Sequence, residues 1–196
     1  MAFGQRTPAT TVLLVAILLG FGLELLTGGV TGSLSEAGAN YAPAVAGGQY
    51  WRLVTSMFLH GGILHLALNG WALYQLGGLF EIWLGSVRLL VVYFASGIAG
   101  SIASVLWTEG PSVGASGAIF GLLGALIAFL LRRHEALTPG AKSLLMQLVM
   151  WAVINVFFGF STPGIDNAAH LGGCAAGLLL GLVLRERRRY RPVAEV

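Results

Sequence analysis

Four polar residues of this chain lie in strongly apolar stretches, and their types are those needed for acyl transfer. A polar side chain in hydrocarbon costs free energy unless it has a partner, so such residues usually face a protein interior. A serine, a base and hydrogen-bond donors for an oxyanion are the groups that nucleophilic acyl transfer requires. The sequence therefore predicts a hydrolase within the membrane. The four residues are Ser116 in Gly114-Ala115-Ser116-Gly117, His170 in Ala169-His170-Leu171-Gly172-Gly173, and His65 with Asn69.

The composition is that of an integral membrane protein. Of the 196 residues, 56% are hydrophobic and only 10% are charged, whereas about a quarter are charged in soluble domains. The 29 glycines suit helices that pack closely in a bilayer. Cys174 is the only cysteine, which excludes an internal disulfide and a cysteine-based metal cluster.

Six apolar segments predict an all-α fold, a six-transmembrane-helix bundle that forms one membrane domain over residues 1–196. A helix needs about 20 residues to span a bilayer, and each segment is close to that length. The run Thr11 to Leu26 lacks a clear cleavage site, so we expect no cleavable signal peptide. The longest loop is about 28–57, and its aromatic residues suit the membrane interface. The predicted spans are about 11–27, 58–80, 87–107, 115–131, 143–160 and 168–184.

The basic residues predict the orientation. With both termini in the cytoplasm, ten of the eleven lie inside and only Arg52 lies outside, as the positive-inside rule favours. We therefore expect a multi-pass protein of a bacterial inner membrane. The arginine-rich tail fits a membrane anchor better than a nucleic-acid contact, so we expect no nucleic-acid partner. The ten inside are Arg6, Arg88, Arg132, Arg133, Lys142, Arg185, Arg187, Arg188, Arg189 and Arg191.

The same topology places the four polar residues at one depth. A helix rises about 1.5 Å per residue, so Ser116 lies roughly 24 Å from Arg132, and His170 about 22 Å from Arg185. Counted from Glu81, Asn69 lies at roughly 18 Å and His65 at roughly 24 Å. Residues so far apart in sequence need not agree in this way. The agreement predicts one shared site in the outer half of the bilayer.

Each residue of the serine–histidine pair also has a simpler structural interpretation. Ser116 begins a helix, where most serines act as caps. His170 could be a hydrogen-bonded structural histidine, although at that depth it could equally take the proton of a serine. Asp166 precedes His170 by four residues and suggests a triad, but its position before a helix favours a cap.

The histidines and asparagine of the second segment allow two interpretations. His65 and Asn69 are four residues apart, so they share a helix face and could donate hydrogen bonds to one oxyanion. Zinc is the alternative, but no cysteine or glutamate accompanies them in a known zinc motif. We therefore expect no metal and no other cofactor. His60 could orient a loop at the outer edge.

Together these motifs resemble the rhomboid family of intramembrane serine proteases. The resemblance implies that Ser116 is the nucleophile and His170 the base, with the Ser116 amide, His65 and Asn69 supporting the oxyanion. Phe120 occupies the position of the aromatic ring on which the family's catalytic histidine stacks. The matching residues are Trp51-Arg52, His60, His65, Asn69, Glu81-x3-Gly85-x2-Arg88, Gly114-x-Ser116-Gly117 and Ala169-His170-x2-Gly173-x3-Gly177.

The resemblance implies a minimal six-helix protease that cleaves transmembrane segments of other membrane proteins in the lipid bilayer. One alternative is a catalytically silent member of the same superfamily that binds transmembrane clients, although such proteins usually lack the serine or the histidine. A second alternative is a small transporter or channel whose intramembrane histidines relay protons or ammonia, but the internal repeats common in such proteins are not visible. The sequence predicts neither the physiological substrate nor the oligomeric state.

Overall fold

The computed structural model describes residues 7–185, and the described part is a bundle of α-helices. Arg6, Arg187, Arg188, Arg189 and Arg191, which contribute to the predicted orientation, lie outside the described residues. The long helices are α1 (Pro8–Leu26), α5 and α6 (Ile63–Ala72 and Gly78–Leu84, joined by a π-helical turn), α7 (Ser86–Trp107), α8 (Ser116–Leu131), α9 (Pro139–Ser161) and α10 (Asn167–Gly181).

The apolar segments of the sequence coincide with these helices. Three helices in the described part, α1, α7 and α9, are long and apolar enough to cross a membrane by themselves, and the bent second segment would make a fourth. Helix α8 is shorter, with 16 residues, but Gly117 through Leu130 are all buried. It therefore lies inside the bundle, surrounded by protein.

The second segment differs from the predicted 58–80. Helix α5 begins at Ile63, because the chain bends by 94° between Arg52–Phe58 and Ile63–Leu84. The bend includes Gly62, whose φ of +144° is readily adopted only by glycine. This bend places His60 before the helix and His65 in its first turn.

The loop between the first two spans is folded. It contains three short helices, α2 (Ser33–Gly38), α3 (Ala42–Ala46) and α4 (Arg52–Thr55). The guanidinium of Arg52 is buried and donates to the carbonyl oxygens of Glu36 and Ala39 at 2.8 and 2.7 Å. Helices this short are marginal alone, so contacts such as these hold the short helices of the loop together.

The first helix is anchored at its N-terminus by a buried carboxylate from α6. Glu81 accepts hydrogen bonds from the backbone amides of Ala9 and Thr10 and from the Thr10 hydroxyl. Its Oε1 also accepts from the Ser86 hydroxyl at 2.6 Å. The first amides of a helix have no partner within it, so the carboxylate supplies one.

Glycines bring α8 and α10 into direct backbone contact. A Cβ atom added at Gly173 would overlap the carbonyl of Gly117, and one at Gly177 would overlap the carbonyl of Gly121. Small residues allow membrane helices to approach closely and gain dispersion contacts. This glycine seam consists of Gly117 and Gly121 of α8 against Gly173 and Gly177 of α10. It begins one residue after Ser116 and sets the separation of the two helices.

We expect Gly173→Val and Gly177→Val to lower both thermal stability and activity, because valine must push α8 and α10 apart. Misplacement by about 1 Å can cost on the order of 10²-fold in rate. Melting temperature and turnover in detergent check this. Gly22→Val is the matched control, since a Cβ at this helical glycine meets nothing within 4 Å. Parental values for both seam variants would show that the glycines do not set the site's geometry.

Candidate active site

Ser116 and His170 are in hydrogen-bond contact. The Ser116 Oγ lies 2.8 Å from the Nε2 of His170, although the two residues are 54 positions apart. Helix α8 carries the serine in its first turn and α10 carries the histidine in its first turn. A serine hydroxyl at this distance can pass its proton to a neutral imidazole.

The structure argues against the interpretation of Ser116 as a helix cap. The N-cap position of α8 is Ala115, and no side chain caps this helix. Ser116 is the first residue of the helix, so its own amide has no partner within the helix. The hydroxyl is thus free to contact His170, and the amide is left without a helical partner.

The imidazole of His170 is oriented by an aromatic ring. It stacks on Phe120 with ring centroids 4.3 Å apart and planes inclined by 9°, at the position the sequence resemblance implied. Trp151 of α9 also packs against Phe120, with ring centroids 5.9 Å apart. The Nδ1 of His170 is buried and has no hydrogen-bond partner among residues 7–185, so stacking rather than an acceptor holds the ring.

Asp166 is a helix cap, as the sequence predicted. Its Oδ1 accepts hydrogen bonds from the amide of Ala169 at 3.0 Å and from the hydroxyl of Thr108 at 2.7 Å. Burial alone would raise the pKa of Asp166, but hydrogen bonds to its charged form lower the pKa below its usual value. Its only hydrogen bond with His170 is through the two backbones.

We therefore expect Asp166→Asn to keep most of the parental activity. The asparagine carbonyl oxygen can still accept from the Ala169 amide, since asparagine is as good an N-cap as aspartate. The measurement is kcat beside melting temperature. If activity disappears at intact stability, Asp166 acts on His170 as the third member of a triad.

The ring of His65 packs against the loop that precedes Ser116. A Cβ at Gly114 would lie 2.8 Å from both Cε1 and Nε2 of His65, and Gly114 has a φ of +128°. Only glycine fits this position. The Nδ1 of His65 accepts a hydrogen bond from the Gly61 amide at 3.3 Å, which leaves the proton of a neutral ring on Nε2. That proton faces the Gly114–Ser116 segment.

Asn69 and His60 lie beside His65, each in a different role. Asn69 is buried, lines a cavity that Ser116 and His170 also line, and donates from its Nδ2 to the His65 carbonyl at 2.9 Å. The second proton of that amide nitrogen remains available for an oxyanion. The ring of His60 is fully buried and meets the His65 ring edge-on at 5.2 Å.

Trp51, Arg52 and Gly117 have supporting positions. The indole of Trp51 donates to the Ala37 carbonyl at 3.1 Å. Arg52 donates to two further carbonyl oxygens of the loop between the first two spans. Gly117 follows Ser116 at the point where α8 meets the Ala169 backbone, 3.3 Å from an added Cβ. None of the three contacts Ser116 or His170 through a described side-chain hydrogen bond.

A cavity of about 1180 Å³ opens above the serine–histidine pair. Within residues 7–185 no group of three or more potential metal ligands lies together. The cavity is large enough to hold several residues of an extended peptide. Its walls include His65, Asn69, Ser116, Trp151, Asn155 and His170.

Sequence reasoning missed one residue of this region, Glu24. It is a single acidic residue in the apolar run of α1 and is 1% exposed. Acidic residues within membrane segments are rare and usually functional. That rule was the signal that could have identified it.

In this membrane bundle a serine of one central helix is hydrogen-bonded to a histidine of another. Such an arrangement makes the protein a candidate intramembrane hydrolase. Comparison with known proteins identifies the family. The rhomboid domain model matches residues 47–187. The chain therefore belongs to the rhomboid family.

Individual relatives cover most of the chain. It is 40% identical over 185 residues to the rhomboid protease GluP of Bacillus subtilis, covering 93% of this chain and 36% of that protein. It is also 40% identical over 170 residues to RHOMBOID-like protein 5 of Arabidopsis thaliana, covering 85% of this chain and 54% of the relative. The chain thus spans about a third to a half of the length of these relatives.

Proposed function

We propose that this protein is an intramembrane serine endopeptidase that cleaves transmembrane segments of other membrane proteins. The observation that carries the proposal is the contact between Ser116 and His170 at 2.8 Å at the floor of a cavity inside a membrane bundle. Family membership supports the same reaction class.

The first half of the reaction forms an acyl-enzyme. The Ser116 Oγ attacks the carbonyl carbon of the scissile peptide bond while its proton passes to His170 Nε2. Negative charge then develops on the carbonyl oxygen, where the Ser116 amide, His65 and Asn69 donate hydrogen bonds. As the carbon–nitrogen bond breaks, His170 returns the proton to the leaving amine.

The second half restores the enzyme. A water molecule gives a proton to His170 and its oxygen attacks the ester carbonyl. The same donors stabilise the second oxyanion, and the proton returns to the Ser116 Oγ when the ester bond breaks. The cavity above the pair provides the route for this water.

The positions of the charged residues support the proposed orientation. Arg88 lies in the first turn of α7, beside the Ser86 that donates to Glu81. Arg132 follows the last residue of α8, at the opposite end of that helix from Ser116. A hydrogen bond from Arg132 to the Leu184 carbonyl at 3.3 Å places the ends of α8 and α10 on one side. The positive-inside rule then puts this side in the cytoplasm and the cavity towards the outside.

Cleavage of a model transmembrane helix in proteoliposomes tests the proposal. The purified protein should release two products whose masses add up to the substrate plus one water. Ser116→Ala, reconstituted at the same density, should release none. Absence of products from the parent, or equal products from both proteins, would contradict the proposal and favour a silent member that only binds transmembrane clients.

A further inference from the structure

A buried carboxylate near the end of α1 joins two segments beside the active site. Glu24 accepts a hydrogen bond from the Ser35 hydroxyl on Oε1 at 2.7 Å. Its Oε2 accepts from the backbone amide of His60 at 2.8 Å. Ser35 belongs to the folded loop, and His60 belongs to the bend before α5. Both oxygens are thus satisfied, and the carboxylate holds the bend against α1.

The bend connects Glu24 to the ring of His65. The peptide plane that starts at the His60 carbonyl carries the Gly61 N–H, which donates to His65 Nδ1 at 3.3 Å. The His60 ring also touches the His65 ring edge-on. Glu24 holds the peptide plane before His60, and the fully buried His60 ring restricts rotation between that plane and the next. Together these contacts direct the Gly61 N–H, which decides which nitrogen of His65 carries the proton.

We propose that Glu24 is a positioning residue for His65. It holds residues 59–62 so that Gly61 donates to Nδ1 and the Nε2 proton of His65 points at the oxyanion. This inference rests on the proposed protease function. Glu24 is not among the residues that line the cavity, and its described partners are Ser35 and His60, so its effect on turnover passes through the bend.

The acceptors of Glu24, rather than its charge, carry this role. Ser35 and His60 both donate to the carboxylate. The Ser35 hydroxyl also has a second acceptor within reach, the Gly29 carbonyl oxygen at 3.3 Å. In Glu24→Gln the amide oxygen can accept from His60, and the amide nitrogen can donate to a Ser35 hydroxyl turned towards Gly29. Glutamine should therefore preserve the arrangement, whereas Glu24→Met, of similar length, removes both acceptors.

The experiment compares Glu24→Met, Glu24→Gln and Ser35→Ala in lipid nanodiscs. The 15N resonances of the His65 ring, assigned with His65→Ala, report which nitrogen is protonated. Turnover of the model transmembrane substrate gives kcat and KM separately. Glu81→Gln is the matched control, because Glu81 is a buried, hydrogen-bonded carboxylate that contacts the other end of α1.

We expect Glu24→Met to lose the single Nε2-protonated form of His65 and to lower kcat by about 10- to 100-fold, with KM nearly unchanged. Ser35→Ala should show a smaller effect in the same direction, and Glu24→Gln should restore both readouts. Glu81→Gln should lower the melting temperature without changing the His65 spectrum.

Two results would overturn the inference: an unchanged His65 spectrum in Glu24→Met, or Glu24→Gln as impaired as Glu24→Met. If Glu24→Met does not fold, Ser35→Ala decides, and a parental His65 spectrum and kcat there would count against the role. An inactive parent would contradict the protease function, while the His65 spectra would still decide the role of Glu24.

Discussion

Ser116→Ala and His170→Ala should each lower kcat by between about 10⁴- and 10⁶-fold, since removing either member of a nucleophile–base pair removes the covalent route. The 2.8 Å contact makes the two side chains one functional unit. The double variant should therefore be no slower than Ser116→Ala alone. Cleavage of the transmembrane substrate in proteoliposomes measures all three rates.

The melting temperature of each variant shows whether a loss of activity reflects a loss of folding. Ser116→Ala removes one hydroxyl that lines the cavity and should melt close to the parent. Near-normal turnover by both single variants would contradict the dyad. Losses that multiply in the double variant would show that the two residues act separately.

His65→Ala and Asn69→Ala should each lower kcat by about 10²- to 10³-fold, the usual cost of removing one preorganised donor to an oxyanion. Both side chains line the cavity that contains Ser116. Since the donors act on the transition state, kcat should fall more than KM rises. Ser116 should still react slowly with a fluorophosphonate in both variants.

Asn155→Ala is the matched control for Asn69→Ala. Asn155 also lines the cavity and also donates to the carbonyl four residues earlier, that of Trp151 at 2.8 Å, but it lies on α9. It should keep the parental kcat. An Asn69→Ala enzyme that behaves like the Asn155 control would assign Asn69 to the structure of α5 rather than to the oxyanion.

The contact between Ser116 and His170 was the part of the site most accessible from the sequence. Helix geometry gave both residues one depth, and their contact at 2.8 Å agrees with that count. The Asp166 cap was equally predictable, because aspartate before a helix is a local signal. Depth alone could not show that Phe120 stacks on His170, which the family resemblance implied instead.

The loop and the bend were less predictable. Periodicity and hydropathy do not identify helices as short as α2, α3 and α4, since long-range contacts such as those of Arg52 stabilise them. The start of α5 at Ile63 depends on the backbone of Gly62, which hydropathy does not register. The apolar run around Glu24 marks the residue as unusual, but its role could not be predicted, because its partners, the Ser35 hydroxyl and the His60 amide, come together only in the folded chain.

Labelling of Ser116 by a fluorophosphonate in proteoliposomes tests the central claim most directly. Mass spectrometry of the digested protein locates the adduct, and its rate of formation reports activation of the serine. We predict one adduct per chain at Ser116, no adduct in Ser116→Ala and much slower labelling in His170→Ala. An unlabelled Ser116, or labelling at the parental rate in His170→Ala, would contradict the claim that His170 activates Ser116 within the membrane.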